Sequence, residues 1–246
     1  MPDYSSYQEF AERVLGVTFD DIQILVTAFT HRSYVNEHRK TAHEHNERLE
    51  FLGDAVLELV TTKYLYCNFS EPEGILTNWR SALVRTESIG AAAEKFGFEP
   101  MLRLSRGERH GTERARAQIL ANSYEAVVGA IYLDKGYAAA EAFITKSILV
   151  TFKDILKSGS WLDAKSHLQE VAQSKEGFTP VYKVLSEDGP DHDKTFTVGV
   201  FIDGRLRGKG VGPSKQAGQQ QAAEIALKSM GDTGPALSNE QSPPTP

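Results

Sequence analysis

Residues 46–57 read NERLEFLGDAVL, and the spacing of the charges in this stretch decides how the rest of the chain is read. On a helical wheel at about 100° per residue, with Glu50 at zero, Asp54 falls near 40° and Glu47 near 60°. The three carboxylates share one narrow face. Leu49, Leu52, Val56, Leu59 and Val60 fall between roughly 180° and 280°, a core-facing stripe with the acids pointing away from it. Most acid-rich faces of this kind are simply solvated. Two details argue against that here. Acids three and four residues apart repel each other by about 0.2–0.5 kcal/mol per pair, and Arg48 lies off their face, so relief has to come from a cation elsewhere. Phe51 lies near 100°, beside the acids and away from the apolar stripe, where a large aromatic calls for a partner surface.

A second stretch, ILANSYEAVVGAIYLD (residues 119–134), repeats the theme. Asn122 and Glu125 are three apart on one helical face, while Ile119, Leu120, Val127, Val128 and Ile131 supply a buried side. Oxygen donors from two facing helices, without histidine or thiolate, are the set that Mg²⁺ or Mn²⁺ prefers and zinc does not. Gly53 and Gly129 each sit mid-helix at a cost of roughly 1 kcal/mol relative to alanine. Their expected use is to let the two helices approach closely.

Around these stretches, residues 7–156 carry repeated 3.6-residue periodicity with few strand-like alternations, which predicts an all-α domain. KSGSW (residues 157–161) forms a linker. From residue 162 to 231 the pattern changes: a helix with Asp163 as N-cap, three extended pieces (VYKVLSE, KTFTVGVFID, RLRGKGV), then a helix from about Ser214 to Met230 carrying Ala217, Ala222, Ala223, Ile225, Ala226 and Leu227 for packing. Phe196, Val198, Val200 and Ile202 alternate with Thr195, Thr197, Gly199 and Phe201, so one sheet face is apolar, and Asp203-Gly204 marks a hairpin turn. This second unit is α-β-β-β-α. The Pro-rich tail, residues 232–246, has the composition of a disordered segment.

The 246-residue chain is 40% hydrophobic and 24% charged, the balance of a soluble protein with room for two cores. One cysteine, Cys67, excludes an internal disulfide framework; it fits a reducing compartment and the role of a buried packing residue. No signal peptide or membrane-spanning run is present, so a cytoplasmic location without membrane partners is expected. The net charge of −6 argues against a protein that merely coats nucleic acid. Charge is uneven, however: Arg103, Arg106, Arg109, His110, Arg114 and Arg116 crowd one segment against only Glu108 and Glu113. GKGVGPSKQ (residues 208–216) lacks the spacing of a nucleotide-phosphate loop.

NERLEFLGDAVL resembles the signature of the ribonuclease III family, HRSYVNEH (residues 31–38) resembles the stretch preceding it, and LANSYEAVVGAIYLD resembles the family's second acidic motif. The region after Trp161 is similar to a double-stranded RNA-binding domain. The resemblance implies an all-α ribonuclease III domain followed by an α+β double-stranded RNA-binding domain. It also implies a homodimeric, Mg²⁺-dependent endonuclease, with Mn²⁺ a possible substitute, that cuts both strands of double-stranded RNA into staggered ends with 5′ phosphates. Ribosomal RNA precursors and other structured transcripts, messenger and transfer RNA included, are the implied substrates.

Carried over residue by residue, Glu50, Asp54, Asn122 and Glu125 take metal positions, with Asp54 and Glu125 catalytic, Glu47 in the cleft and Phe51 at a dimer contact. Asn122 stands where the family usually has aspartate. An amide oxygen can still ligate an ion but brings no charge, so weaker metal binding is expected; a catalytically silent RNA-binding dimer is the alternative. In the second domain Lys165, Gln169 and Gln173, spaced by four, match a minor-groove reader whose glutamines both donate and accept. His192, in the loop GPDHD, would enter a second minor groove. Ser214 and Lys215, at the start of the last helix, would meet a phosphate; Gln216 replaces a lysine common there. From residue 162 to 230 nine Lys and Arg face nine Asp and Glu, which predicts modest RNA affinity with a shallow salt dependence.

Overall fold

The computed structural model describes residues 4–158, 161, 163–190 and 194–231. His192 and the tail from residue 232 lie outside them. The chain divides after Ser158 into two compact units.

The first unit is helical: α1 (Ser5–Phe10), a π-helical turn (Ala11–Leu15), α2 (Ile22–Ala28), α3 (Arg32–Glu37), α4 (Glu47–Asn68), α5 (Glu73–Val84), α6 (Thr86–Lys95), α7 (Glu113–Ser147) and α8 (Phe152–Ser158). Its axis is α7, whose residues 119–121 and 126–131 are buried on nearly all sides. That explains why this run is almost continuously apolar rather than amphipathic. Gly136, at φ 80°, breaks α7 into two helical segments, since only glycine takes that backbone conformation cheaply. Aromatic rings fill the centre: Phe29 packs edge-on against Phe10 and Phe98, and Tyr124 stacks between Phe98 and Phe143. A second cluster of Phe69, Trp79 and Phe152 closes the end of α4 against α5 and α8.

The buried side of α4 differs from the wheel expectation. Leu49, Gly53, Val56, Leu57 and Val60 are buried, an arc of roughly 240–340°. Leu52 is only half-buried and Leu59 is 57% exposed. The core arc is turned toward the acids because the contact with α7 runs along Gly53, an apolar-neutral position that hydrophobicity alone does not mark. The carboxylates therefore sit at the rim of the α4–α7 contact, not opposite it. Cys67 is likewise exposed rather than packed, since the last turns of α4 bury Thr61 and Leu65 instead.

In the second unit α9 (Ala164–Glu176) is capped by Asp163, whose side chain accepts from the Lys165 N–H. A three-stranded antiparallel sheet follows in the order β1 (Val181–Asp188), β2 (Thr195–Ile202), β3 (Arg205–Gly212), and α10 (Lys215–Ser229) closes the unit. Asp203 and Gly204 both take positive φ, 51° and 70°, the pair of left-handed residues that a tight hairpin requires. Val198, Val200 and Ile202 are buried beneath the helices with Leu168, Ala172, Ala222, Ala223 and Ala226. Ile225, expected to pack, is 41% exposed. Gly208 and Gly210 bring α10 onto β3: a Cβ at Gly208 would stand 2.1 Å from the Ala222 carbonyl oxygen, and one at Gly210 2.3 Å from that of Gly218.

Candidate active site

Two helices meet where the two acidic motifs cross. A Cβ built on Gly53 would fall 1.7 Å from the carbonyl oxygen of Glu125, and one on Gly129 would fall 2.3 Å from that of Leu49. Backbone therefore touches backbone. The expected role of the two glycines is met, and Asp54, next to Gly53, is drawn to the helical turn that carries Glu125. Glu47 and Glu50 lie in the first turn of α4, where the positive end of the helix dipole favours carboxylates.

The carboxylates also bear on one another electrostatically. Glu125 is half-buried, and its carboxyl is pushed up to about 7, first by burial and then by the charges of Asp54 and Glu50. Burial also raises Glu50, with Glu47 and Asp54 adding to the effect, while a hydrogen bond from Asn122 works against it. Cationic relief among the described residues reaches only Glu47, from Arg32 at 3.5 Å, with the His45 ring 3.8 Å away. Among the described residues no Lys, Arg or His pairs with Glu50, Asp54 or Glu125. No three His, Cys, Asp or Glu groups among the described residues converge closely enough to hold a metal ion. Hard oxygen donors, unrelieved negative charge and no soft ligand nevertheless fit a divalent cation of the Mg²⁺ kind. Asn122 stands at the same place, but its Oδ1 already accepts a hydrogen bond from Gln118 at 2.7 Å. Gln118 escaped the sequence reading; its only signal there is the spacing of four from Asn122.

On the neighbouring face of α4, Phe51 is 81% exposed, Leu59 57% and Tyr66 78%. They share a stripe at roughly 100–180° on the wheel. A groove of about 490 Å³ continues it, lined by Thr62, Leu65 and Tyr66 of α4 and Leu76, Thr77 and Arg80 of α5. None of the carboxylates Glu50, Asp54 and Glu125 lines this groove. In the basic segment Arg103 packs 4.3 Å over the Tyr34 ring and bonds Thr30, and Arg116 pairs with Glu99. Arg106, Arg109 and Arg114 remain exposed.

In the second unit Gln169 and Gln173 are exposed on one face of α9. Lys165 is half-buried instead, bonding Gln219 at 2.7 Å and lying over the Tyr182 ring. Ser214 caps α10, its hydroxyl accepting from the Ala217 N–H, and Lys215 pairs with Glu187 at 3.2 Å. Among the described residues no helix is long and apolar enough to cross a membrane.

Residues 21–152 match the Ribonuclease-III-like family and residues 164–230 the Double-stranded RNA binding motif. The chain is 45% identical over 223 residues to Ribonuclease 3 of Enterococcus faecalis, covering 90% of this chain and 96% of that one. It is also 45% identical over 219 residues to Ribonuclease 3 of Protochlamydia amoebophila, covering 88% and 89%. Among solved structures, the nuclease domain of ribonuclease III from Campylobacter jejuni aligns with a TM-score of 0.51 and 33% identity, over 58% of this chain and 95% of that one. A second structure of that nuclease domain, described for flexibility in the region involved in dimer formation, aligns at 0.50 and 35%, over 56% and 96%. With both acidic motifs on crossing helices and a β-β-β-α module following, the chain belongs to the ribonuclease III family.

Proposed function

We propose that the protein is a double-stranded RNA endoribonuclease whose chemistry lies at the α4–α7 crossing. The observation that carries this reading is the crowding of Glu50, Asp54 and Glu125 around a backbone contact that only glycines permit, with no cation among the described residues paired with them. A binding protein has no use for such a face, because phosphate is repelled from it. When bound, a divalent ion there supplies a polarised phosphate and a water acidic enough to attack it. Asp54 and Glu125 would hold that ion from the two helices, and Glu50 would complete the set from the first turn of α4. Glu47, tied to Arg32, lines the approach.

The exposed stripe of Phe51, Leu59 and Tyr66 supports a homodimer, since large apolar residues aligned on one helix face offer a surface that a second copy can cover. The similarity to the Campylobacter jejuni nuclease domain, described in connection with dimer formation, points the same way. Two such subunits would each cut one strand and leave staggered ends with 5′ phosphates. Structured precursors of ribosomal RNA and other transcripts are the natural substrates of this reading. Gln169 and Gln173, exposed and uncharged, suit the 2′-hydroxyls and base edges of an A-form minor groove, with Lys215 available to a phosphate once it leaves Glu187.

Incubating the protein with a perfect RNA duplex, in Mg²⁺ or in EDTA, tests the reading. Fragments carrying 5′ phosphates are expected with Mg²⁺ alone. A retarded duplex without fragments at any Mg²⁺ concentration would overturn it and leave a silent binder.

A further inference from the structure

The register of the sheet sets one acid of the second unit against the start of its last helix. Glu187 pairs with Phe196 across β1 and β2, and Phe196 pairs with Gly212 across β2 and β3. Residues directly opposite each other on neighbouring strands share a face, and Phe196 alternates in step with buried Val198 and Val200, on the side that the helices cover. Glu187 therefore stands on the helix side of the sheet, at the end where α10 begins. Gly212 lies tight against that helix: a Cβ there would stand 2.7 Å from that of Ala217 and 2.9 Å from the Gly218 nitrogen. With the first turns of α10 pressed onto the end of β3, Lys215 has the Glu187 carboxylate 3.2 Å from its Nζ and the Phe196 ring 5.6 Å away. The first turn of α10 carries no acid of its own. Its positive end, with Lys215 at the first position, attracts an anion. In the free protein that anion is Glu187.

We propose that Glu187 is an internal competitor for RNA phosphate: it holds Lys215 in an ion pair that a duplex must open before the lysine can meet its backbone. The inference rests on the reading of Ser214 and Lys215 as a phosphate contact. Binding then exchanges a carboxylate for a phosphate. The freed carboxylate takes up a cation as the phosphate gives one up, so fewer ions are released than Lys215 alone would release. The module also binds more weakly than its lysine allows, and affinity lost in this way shows mainly as faster release of the duplex.

Retardation of a perfect RNA duplex by the full-length protein, in EDTA and at several salt concentrations, tests the competition. The pair is partly open to solvent, where an ion pair is worth little, so Glu187→Gln should tighten binding at low salt by about two- to five-fold. The slope of log affinity against log salt should steepen by up to ~0.9, the share of one ion. Lys215→Ala should weaken binding. In that background the gain from Glu187→Gln should shrink to half or less on a logarithmic scale, because the carboxylate has no lysine left to hold. Unchanged or weaker binding by Glu187→Gln overturns the inference. So does a gain as large without Lys215 as with it, since Glu187 would then only repel the duplex. A natural chain that retards no duplex is a separate result, which withdraws the RNA-binding reading and the inference with it.

Discussion

Replacing Gly53 by alanine adds one methyl group where the two acidic helices touch. The new Cβ would lie 1.7 Å from the Glu125 carbonyl oxygen, 2.6 Å from its carbon and 2.8 Å from the Gly129 nitrogen. Ordinary contact begins near 3.4 Å. All three neighbours are backbone and have no rotamer to turn away, so α4 and α7 must part by more than about 1 Å. Forcing extra volume into a packed contact costs about 1–3 kcal/mol and more where backbone has to move, while glycine to alanine in a helix returns about 1 kcal/mol. A net loss of about 2 kcal/mol or more follows, equivalent to about 4–8 °C in melting temperature for a unit of this size.

The chain has two tryptophans, so in a Trp161→Phe background buried Trp79 reports on the helical unit alone during urea unfolding. Gly74→Ala is the control, since nothing lies within 4 Å of a Cβ there; it should be neutral or stabilising by up to about 1 kcal/mol. Cleavage should fall with Gly53→Ala as Glu125 moves off Asp54. Equal or greater stability for Gly53→Ala, with full activity, would refute the close crossing and the site built on it.

Other outcomes follow from the same geometry. In EDTA, Glu125 at about 7 against an ordinary 4.5 means that this group binds more proton in the folded protein than in the unfolded chain between those values, so its contribution to stability is fully present below about pH 4.5 and is lost as pH rises through about 7. The gap converts to about 3.4 kcal/mol, and screening of a half-buried group reduces it to about 1–2 kcal/mol. Urea midpoints at pH 5 and pH 8 should show this difference shrink in Glu125→Gln, and an unchanged difference would count against the burial of that carboxyl. Phe51→Ala removes a large apolar contact twice from a symmetric interface, and sedimentation should show dimer association weakened by about a hundred-fold or more; an unaltered dimer would place the interface elsewhere. RNA affinity should fall only gently between about 50 and 200 mM salt, because Arg207 and Lys215 are paired with Glu176 and Glu187. A slope typical of a strongly basic module would contradict that.

Much of the fold was legible because its signals are local. Asp163, Ser214 and the Asp203-Gly204 pair announce where elements start and turn, and the helical period of residues 7–156 needs no tertiary knowledge. The acids of NERLEFLGDAVL and Glu125 were legible as a pair of facing sets because each shares a helical face. What escaped depends on how one helix is rotated against another. A wheel scored by hydrophobicity places Leu59 inside, yet Leu59 is exposed, because the close approach expected at Gly53 also sets how α4 is rotated against α7. The same rotation, carried to the end of α4, exposes Cys67.

The central claim, that the carboxylates at the α4–α7 crossing cut RNA with the help of a divalent ion, is met most directly by Asp54→Asn. Duplex binding in EDTA and cleavage across a Mg²⁺ titration should be measured for this variant and the natural chain side by side. The account predicts equal binding, cleavage by the natural chain in Mg²⁺ alone, and a loss of at least about a hundred-fold in the variant, the scale on which removing one charged group from a preorganised site acts. Cleavage by Asp54→Asn at the natural rate, or by the natural chain in EDTA, would contradict it.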